Sequence, residues 1–571
     1  MRHLRMTLAC QIEMLLVAVA FAVAATARAV EVHGPADSDG VHWFEEMVPM
    51  PDGTKLYTYG SAPKEGGKCA IVVLRNPYVK EERVDVAKWA RGQKRALSRG
   101  YAYVFQQCRG CGMSEGDWIP YENERSDGLA LLDFVRRLPW YDGEIYLQGG
   151  SYGASVHWAY LDTNPSDVKG AALYVQDVNR FNIAYRNGFF KIGLHGGWFL
   201  KGYKKKNRAL MRDKSATFYQ FPLVDFPRRH WGESVPCMEN VLRHPRGDDP
   251  FWSSDAPGSG ADYRNAFARS TMPILLKTGF YDIYTEGVLD MWRETSPDRL
   301  ASCALLVDAC DHGGAPNKKL EGTKGVFPGG ARRDEGVEAL DWFDSIRGRL
   351  ACTNAPRGKV RYYALWENAW HEAATLEDGP REVRLRIGCG IREYSYDPTR
   401  PPPSFPGSGG IAFGGMQLQP KPDFRDDVAS FVMQPIAERL DVRGRMEARL
   451  SVESDCDDTC FYVRVSVDKG DGRWYLLRDD ITSLAHGSPY RPGERRIVPF
   501  KFADHAFRLD RGDRLRVDVS SASSQFAPHP NVAGDAFSVT APRTAHNKVF
   551  ADASELVLRV REAVDRPAAR D

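Results

Sequence analysis

Short apolar runs alternate with longer segments of helical spacing in two separate stretches of the chain. In chain order, these runs and segments occupy residues 70–74, 84–98, 101–106, 126–137, 273–278, 287–292 and 304–307. Strands that alternate with helices are typical of a parallel sheet covered by helices. We therefore predict an α/β fold whose sheet is built from two halves of the sequence.

Two other regions depart from this alternation. Residues 180–265 carry Trp and Phe without strand periodicity, which predicts an insertion between the two halves. From about residue 353, short alternating or β-branched runs separated by Gly, Pro and Asp predict a β-sandwich. The predicted units are a signal peptide (1–29), a first α/β part (30–179), a cap insertion (180–265), a second α/β part (266–352) and a β-sandwich (353–571).

The N-terminus has the pattern of a secretory signal peptide. Arg2 and Arg5 precede an apolar run at residues 15–25, and Ala27-Arg28-Ala29 follows as a cleavage pattern before Val30. A membrane anchor is the alternative, but the run is shorter than the roughly 20 residues that a spanning helix needs. We expect a secreted or periplasmic protein, with no membrane association after cleavage.

Length and charge narrow the class of protein further. A chain of 571 residues is too long for one hydrophobic core, so several domains are expected. The net charge of +2 gives no reason to expect a polyanionic partner, and nucleic acid binding is disfavoured.

Cysteine usage is compatible with export. Removal of the signal peptide takes away Cys10 and leaves ten cysteines, an even number that permits disulfides. Cys108 with Cys111, and Cys456 with Cys460, are close enough in sequence to suggest local bridges. Neither pair is followed by the Cys or His spacing of a zinc module, so we expect no metal and no other cofactor.

The pentapeptide Gly149-Gly150-Ser151-Tyr152-Gly153 is the strongest single motif. It lies between an apolar, strand-like run and a helix-like segment, which is the arrangement of a nucleophile elbow. The flanking glycines would let strand and helix approach around a strained serine. A glycine-rich loop with an incidental serine is the alternative.

A serine nucleophile needs a base to accept its proton and an acid to orient that base. Ser151, Asp282 and His312 follow one another in the order Ser, Asp, His that α/β-hydrolases use, and each comes after a predicted strand. We therefore predict these three as the catalytic triad.

Other assignments remain open at this point. Asp282 could instead be the N-cap of the next helix, and His312 an ordinary loop histidine. His157 and His195 are rival bases, although both precede Asp282, and Asp308 or Asp311 could replace Asp282.

Acyl transfer also needs hydrogen-bond donors for the developing oxyanion. The backbone amide of Tyr152, the residue after the nucleophile, is one expected donor. Tyr78, in the loop after an early strand, offers a phenol as the second. A buried core tyrosine is the alternative for Tyr78.

With these motifs in place, the chain resembles the cocaine esterase and X-prolyl dipeptidyl-peptidase group of serine hydrolases, the CocE/NonD type. The matching segments are Asn76-Pro77-Tyr78, residues 109–116, Asp127-Gly128, Pro139-Trp140, residues 149–153, residues 279–282, Trp342-Phe343-Asp344, residues 512–517 and Asn531. The match spans nearly the whole mature chain.

The resemblance implies an α/β-hydrolase domain with a helical cap and a C-terminal jelly-roll domain, which is a galactose-binding-like fold. It also implies the triad Ser151, Asp282 and His312, with Tyr78 as an oxyanion donor. Two departures are visible: residues 308–312 lack the family's frequent Gly-Pro-Trp-x-His run, and residues 283–285 lack the acidic residues of α-amino ester hydrolases.

We therefore predict an exported serine hydrolase that cleaves an ester or amide bond of a small molecule or peptide through an acyl-enzyme. One alternative is an X-Pro dipeptidyl-peptidase. Another, of a different class, is a glycan-binding protein whose hydrolase domain is inactive. Substrate preference, disulfide pairing and oligomeric state do not follow from the sequence.

Overall fold

The computed structural model describes residues 30–33, 41–64, 67–79, 83–202, 219–254, 256–314, 327, 330, 334–376, 379–400 and 416–561. The predicted signal peptide, residues 1–29, lies outside the described residues. In the described part of the chain, no helix is long and apolar enough to cross a membrane.

A ten-stranded mixed sheet forms the centre of the first domain, in the order β1-β2-β4-β3-β5-β6-β9-β10-β11-β12. Its middle strands, from β4 to β11, pair in parallel, and β1, β2 and β12 add antiparallel edges. The strands up to β12, with a small hairpin β7–β8, are β1 (His42–Pro49), β2 (Lys55–Ala62), β3 (Cys69–Asn76), β4 (Tyr101–Gln107), β5 (Tyr141–Gly150), β6 (Val168–Tyr174), β7 (Tyr185–Arg186), β8 (Phe189–Phe190), β9 (Ile274–Tyr281), β10 (Ala304–Asp311), β11 (Lys359–Ala364) and β12 (Ala369–Ala373).

Helices cover both faces of this sheet, which explains why its central strands read as continuous apolar runs. Every residue of β9, for example, is buried. The α-helices are α1 (Val86–Gly92), α2 (Lys94–Ser98), α3 (Glu124–Arg136), α4 (Tyr152–Leu161), α5 (Arg180–Ala184), α6 (Gly197–Gly202), α7 (Phe226–Trp231), α8 (Pro236–Arg243), α9 (Ala266–Arg269), α10 (Thr285–Glu294), α11 (Pro297–Leu300) and α12 (Glu335–Ile346). Shorter turns are a π-helix at Ile192–Gly196 and 3₁₀ helices at Leu223–Asp225, Pro250–Ser253, Ala261–Tyr263 and Ala551–Ala553.

The insertion at residues 180–265 is built mainly of short helices around an aromatic cluster of its own. Phe190, Phe226 and Trp231 are among the buried members of this cluster. Ala527 and Phe537, from the C-terminal part of the chain, complete it. The aromatic residues that show no strand periodicity in the sequence are therefore the core of a separate packing unit.

Two antiparallel sheets make up the C-terminal β domain, as the sequence predicts. One follows the order β14-β24-β18-β25-β17-β22, with β13 on β25 and β21 on β18, and the other the order β15-β20-β19-β23-β16. The strands are β13 (Arg381–Arg386), β14 (Ile391–Tyr396), β15 (Leu418–Gln419), β16 (Ala429–Val432), β17 (Leu440–Gly444), β18 (Glu447–Ser454), β19 (Cys460–Asp468), β20 (Trp474–Ser483), β21 (Arg496–Lys501), β22 (His505–Leu509), β23 (Arg514–Ser520), β24 (Ala545–Phe550) and β25 (Glu555–Val560).

One predicted sandwich strand belongs to the other domain. The run at residues 360–365 forms β11, which pairs in parallel with β10 of the first sheet. A short β-branched run carries no information about which sheet it joins, because partner choice depends on the rest of the fold. The sandwich strands therefore begin at β13 rather than near residue 353.

The β domain holds the end of strand β9 in place. Tyr281, the last residue of β9, donates its hydroxyl proton to the Leu476 carbonyl at 3.0 Å, and Arg478 donates to the Phe280 carbonyl. Leu476 and Arg478 both lie on β20. Asp282 is the next residue after β9, so these two contacts fix the backbone position of the residue that carries this carboxylate.

The expected local disulfides are absent. None of the ten described cysteines is in a disulfide. Cys108 and Cys111 close a turn through a backbone bond of 3.0 Å between Cys111 N and Cys108 O. Cys460 Sγ donates to the Ser521 carbonyl at 2.8 Å, whereas Cys456 Sγ lies 3.6 Å from a different carbonyl. The suggested pairing was therefore wrong for this structure, because the Cys456 and Cys460 thiols have separate partners.

Candidate active site

Ser151 occupies a strained turn between β5 and α4. Its φ of 54° and ψ of −131° place a non-glycine residue at positive φ, a conformation that the surrounding structure must enforce. A Cβ on Gly149 would lie 2.0 Å from the Gly153 carbonyl oxygen, so only glycine fits there. Strand and helix can meet around Ser151 because Gly149 carries no side chain.

Ser151, His312 and Asp282 form a continuous hydrogen-bonded chain. His312 Nε2 lies 2.9 Å from Ser151 Oγ, and His312 Nδ1 lies 2.8 Å from Asp282 Oδ2. The carboxyl ends of β5, β9 and β10 bring these residues to one edge of the sheet. Asp282 Oδ1 accepts the Tyr284 amide at 2.7 Å, which fixes the carboxylate. The structure therefore brings together all three residues that the sequence analysis selected.

Two of the four rival residues, Asp308 and His157, have other partners. Asp308 accepts the Cys310 amide at 2.9 Å. His157 lies in the core, where it contacts the Tyr160 hydroxyl at 2.7 Å and the Gln148 carbonyl at 3.2 Å. Burial lowers the pKa of His157 to about 3, so its imidazole is neutral at physiological pH. It is His312 that contacts Ser151 Oγ, and Asp282 that contacts His312.

Tyr78 points its hydroxyl at the nucleophile. Asn76 Oδ1 accepts the Tyr78 amide at 2.6 Å, and Trp198 Nε1 donates to the Tyr78 hydroxyl at 3.0 Å. The residue is 52% exposed overall, but its hydroxyl faces Ser151 and the Tyr152 amide. Loss of solvent there raises the pKa of Tyr78. Since the indole donates to its oxygen, Tyr78 keeps its own proton for another acceptor.

A buried polar network contacts Tyr152, the residue after the nucleophile. The sequence analysis did not identify this network. The Tyr152 hydroxyl donates to Glu124 Oε1 at 2.8 Å and accepts the Tyr121 amide at 2.7 Å. Glu124 Oε2 pairs with Arg75 Nη1 at 3.0 Å, and both side chains are almost fully buried. The side chain of the residue after the nucleophile is therefore held by two hydrogen bonds to its hydroxyl.

Above Ser151 the structure leaves a small cavity of about 10 Å³, which corresponds to about one water molecule. Its remaining lining residues are Tyr78, Tyr121, Tyr152, Gln176, Leu194, His195, Trp198 and Tyr284. Leu194, His195 and Trp198 come from the insertion. Tyr121, Gln176 and Tyr284 come from loops of the α/β domain, and no sequence motif pointed to them.

One larger chamber adjoins this site, and a second adjoins the first chamber. One, of about 950 Å³, lies between the insertion, the β9–α10 loop and the β domain, and shares Tyr284 with the small cavity. The other, of about 450 Å³, is lined by residues of α5 and α10 and shares Asp177 and Asp290 with the first. Space for a substrate larger than the triad cavity therefore exists next to it.

Comparison with known proteins gives a consistent assignment. The model of the S15 family, described as X-Pro dipeptidyl-peptidase, matches residues 52–314, and the model of the X-Pro dipeptidyl-peptidase C-terminal non-catalytic domain matches residues 358–554. Cocaine esterase from Rhodococcus sp. (strain MB1 Bresler) is 23% identical over 535 residues, which cover 84% of this chain and 90% of that protein.

Solved structures share the fold along most of the chain. An α-amino acid ester hydrolase matches with a TM-score of 0.72 and 19% identity, over 94% of this chain and 99% of that one. An aminopeptidase from a marine sediment Thaumarchaeota archaeon matches with a TM-score of 0.70 and 19% identity, over 91% and 96%. The two family models cover most of the chain, and the ordered motifs, the α/β-hydrolase fold and its C-terminal β domain agree with them. The chain therefore belongs to the CocE/NonD-type serine hydrolases, the family of cocaine esterase and X-prolyl dipeptidyl-peptidase, and it is a serine hydrolase of the esterase or X-Pro dipeptidyl-peptidase-like kind.

Proposed function

We propose that the protein hydrolyses esters through a covalent acyl-enzyme on Ser151. The observation that carries this proposal is the hydrogen-bonded chain from Ser151 Oγ through His312 to Asp282. A serine at an elbow, with a base in contact and the base oriented by a buried carboxylate, is the arrangement that activates a hydroxyl for acyl transfer.

In this proposal each group has a distinct role. His312 Nε2 accepts the Ser151 proton as Oγ attacks the substrate carbonyl, and Asp282 keeps the second imidazole proton on Nδ1. The Tyr78 hydroxyl and the Tyr152 amide donate to the oxyanion that forms. His312 then gives its proton to the leaving group, and a water molecule, deprotonated by the same histidine, releases the acid.

Ester hydrolysis is preferred over cleavage of X-Pro peptides because the similarity to cocaine esterase extends over 84% of the chain. The peptidase reaction is the second candidate, since the S15 family model matches the part that holds the triad. Short acyl aryl esters should be turned over, and Gly-Pro and Ala-Pro arylamides should not. Turnover of the arylamides at a comparable kcat/KM would favour the peptidase instead.

A fluorophosphonate probe tests the nucleophile directly. Wild-type protein should be labelled, and Ser151→Ala should not, because the probe reacts with an activated serine. Ser155→Ala is the matched control: Ser155 lies one helical turn further along α4, and its buried hydroxyl has no hydrogen-bond partner among the described residues. Labelling of Ser151→Ala at the wild-type rate would contradict the proposal.

We also propose that the enzyme acts outside the cytoplasm. This proposal rests on the basic residues, apolar run and small-residue pattern at the N-terminus.

A further inference from the structure

Strand β9, which leads directly to Asp282, is only partly held by its neighbours in the sheet. On one side it pairs with β6 only as far as Lys277. On the other side it pairs with β10, but the register between the two strands shifts near the end of β9. The sheet therefore gives the last two residues of β9, Phe280 and Tyr281, less support than the residues before them.

Arg478, on β20 of the β domain, supplies support to this strand end. The residue is 2% exposed, and all three nitrogens of its guanidinium donate to main-chain carbonyls. Nη1 donates to Phe280, Nη2 to Asp504, and Nε to Ala503 at 3.1 Å. The planar guanidinium can hold several acceptors in one fixed arrangement. One side chain therefore ties the end of β9 to the connection between β21 and β22.

The backbone of β20 is irregular at this contact. In the ladder between β19 and β20, Leu477 is an extra residue on β20, between Leu476 and Arg478. A bulge of this kind re-aims the side chain beside it, and bulges are frequent next to active sites. Arg478 contacts Phe280 from one side of the bulge, and on the other side the Leu476 carbonyl accepts the Tyr281 hydroxyl at 3.0 Å. Both residues that flank the bulge therefore contact the end of β9.

The surroundings of this contact are fully buried. Phe280, Tyr281 and His505 are each 0% exposed, and the His505 ring lies 4.9 Å from the Phe280 ring and 5.6 Å from the Tyr281 ring. Burial holds the pKa of His505 well below its usual range, so its ring is neutral beside the Arg478 cation. In such an interior a carbonyl that loses its donor cannot turn to solvent instead. Loss of the guanidinium should therefore shift the backbone of β9.

Asp282 is attached to this strand end by a tight turn. Its amide donates to the Gly279 carbonyl at 2.9 Å, which closes a turn over Phe280 and Tyr281. Its Oδ2 must meet His312 Nδ1, which lies 2.8 Å away. A shift of the Phe280 carbonyl therefore moves the turn and, with it, the carboxylate that orients the imidazole.

We propose that Arg478, assisted by the Tyr281–Leu476 hydrogen bond, is a positioning residue for Asp282. The β domain then takes part in the reaction, because a side chain on β20 sets the geometry between Asp282 and His312. Arg478 acts through the backbone of β9. The inference rests on the proposed ester hydrolysis, in which Asp282 orients the base.

Arg478→Met tests this role, since it removes every donor and keeps an apolar stem. With 4-nitrophenyl acetate, kcat should fall by about 10-fold to 100-fold, the effect of a small misplacement in an active site. KM should change less than about twofold, because the carboxylate orients the base and does not hold the ground-state substrate. Arg478→Lys, which keeps the charge and a donor, should recover part of the lost kcat.

Arg496→Met is the matched control. Arg496, on β21, also donates to main-chain carbonyls, those of Leu484, Ser488 and Pro489, all of which lie in the β domain. Its loss removes a similar set of hydrogen bonds away from β9, and kcat should match that of the wild type.

A double-mutant cycle separates positioning from a general loss of structure. In Asp282→Ala there is no carboxylate to position, so adding Arg478→Met should lower kcat further by less than about threefold. Single-turnover measurements at high enzyme concentration give access to the low rates of these variants. Equal losses from Arg478→Met in the presence and absence of Asp282 would overturn the inference.

The outcomes also separate this inference from the proposed function. If Ser151→Ala abolishes turnover but folded Arg478→Met keeps kcat within about threefold of the wild type, or loses only in KM, the inference alone is wrong. No ester turnover by the wild type, or turnover that survives Ser151→Ala, would contradict the proposed function and the inference with it.

Tyr281→Phe decides if Arg478→Met does not fold. This change removes only the hydroxyl that donates to the Leu476 carbonyl. It should lower kcat by about threefold to tenfold with KM unchanged, because the end of β9 loses one of its two hydrogen bonds to β20. A wild-type kcat in Tyr281→Phe would then overturn the inference.

Discussion

Replacement of His312 by alanine is expected to lower kcat for an aryl ester by about 10⁴-fold to 10⁶-fold. The imidazole is the group that contacts both Ser151 Oγ and Asp282 Oδ2, so its loss leaves the hydroxyl without a base and the carboxylate without its partner. Steady-state kinetics over a range of substrate concentrations separates kcat from KM, and KM should change little because the imidazole does not hold the ground-state substrate.

Two companion variants sharpen this prediction. Asp282→Asn keeps the side-chain shape but favours the wrong imidazole tautomer, and should lower kcat by about 10⁴-fold. His546→Ala removes an exposed histidine of the β domain that contacts the Ser395 hydroxyl, and should leave kcat unchanged. A loss of less than tenfold in His312→Ala, with normal thermal unfolding, would show that another group is the base.

Tyr78→Phe should lower kcat by about 10²-fold to 10³-fold, the usual effect of removing one oxyanion donor. The change removes only the hydroxyl, whose position near Ser151 and the Tyr152 amide is fixed by the Trp198 indole. Because the oxyanion exists only in the transition state and intermediate, the effect should fall on kcat and kcat/KM together, with KM nearly constant.

The control for Tyr78→Phe is Tyr59→Phe. Tyr59 lies on β2, away from the described site, and also loses only a hydroxyl. Its kcat should match that of the wild type. A kcat for Tyr78→Phe within about threefold of the wild type would mean that the Tyr152 amide and other donors suffice, and the assigned role of Tyr78 would be wrong.

The three residues of the hydrogen-bonded chain could be selected from the sequence because each comes directly after a strand, namely β5, β9 or β10. Apolar periodicity locates the strands, and parallel strands bring their carboxyl ends to one edge. Ser151, Asp282 and His312 each follow such a strand. Their positions in the sequence therefore predicted that the three side chains lie close together. The positive φ of Ser151 was likewise implied by the glycines around it.

Several residues of the family resemblance turn out to support the site without lining it. A Cβ on Gly128 would lie 2.3 Å from the Tyr160 ring, so this glycine lets α3 pack closely on α4, the helix that follows Ser151. Arg109 joins Asp127 to Asp52 through hydrogen bonds of 2.7 Å and fixes the loop after β4. Motif residues therefore include packing positions as well as chemical ones.

The walls of the cavity could not be found in the same way. Trp198 and His195 belong to the insertion, where the sequence shows no periodicity, and Gln176 and Tyr121 lie in loops whose course depends on tertiary contacts. The Glu124–Arg75 pair could not be predicted from the sequence for a similar reason. Charged residues are normally exposed, and only the fold shows these two to be buried.

The sequence analysis assigned strand β11 to the wrong sheet because β10, the strand that pairs with it in parallel, lies far away in the sequence.

Covalent trapping of the acyl-enzyme tests the central claim most directly. Wild-type protein should be mixed with a slowly hydrolysed ester, quenched in acid during turnover, digested and analysed by mass spectrometry. The account predicts that the peptide containing Ser151 gains the mass of the acyl group, and that Ser151→Ala shows neither this adduct nor turnover. Turnover without an adduct on Ser151 in a substrate for which deacylation is rate-limiting, or an adduct on another residue that persists in Ser151→Ala, would contradict it.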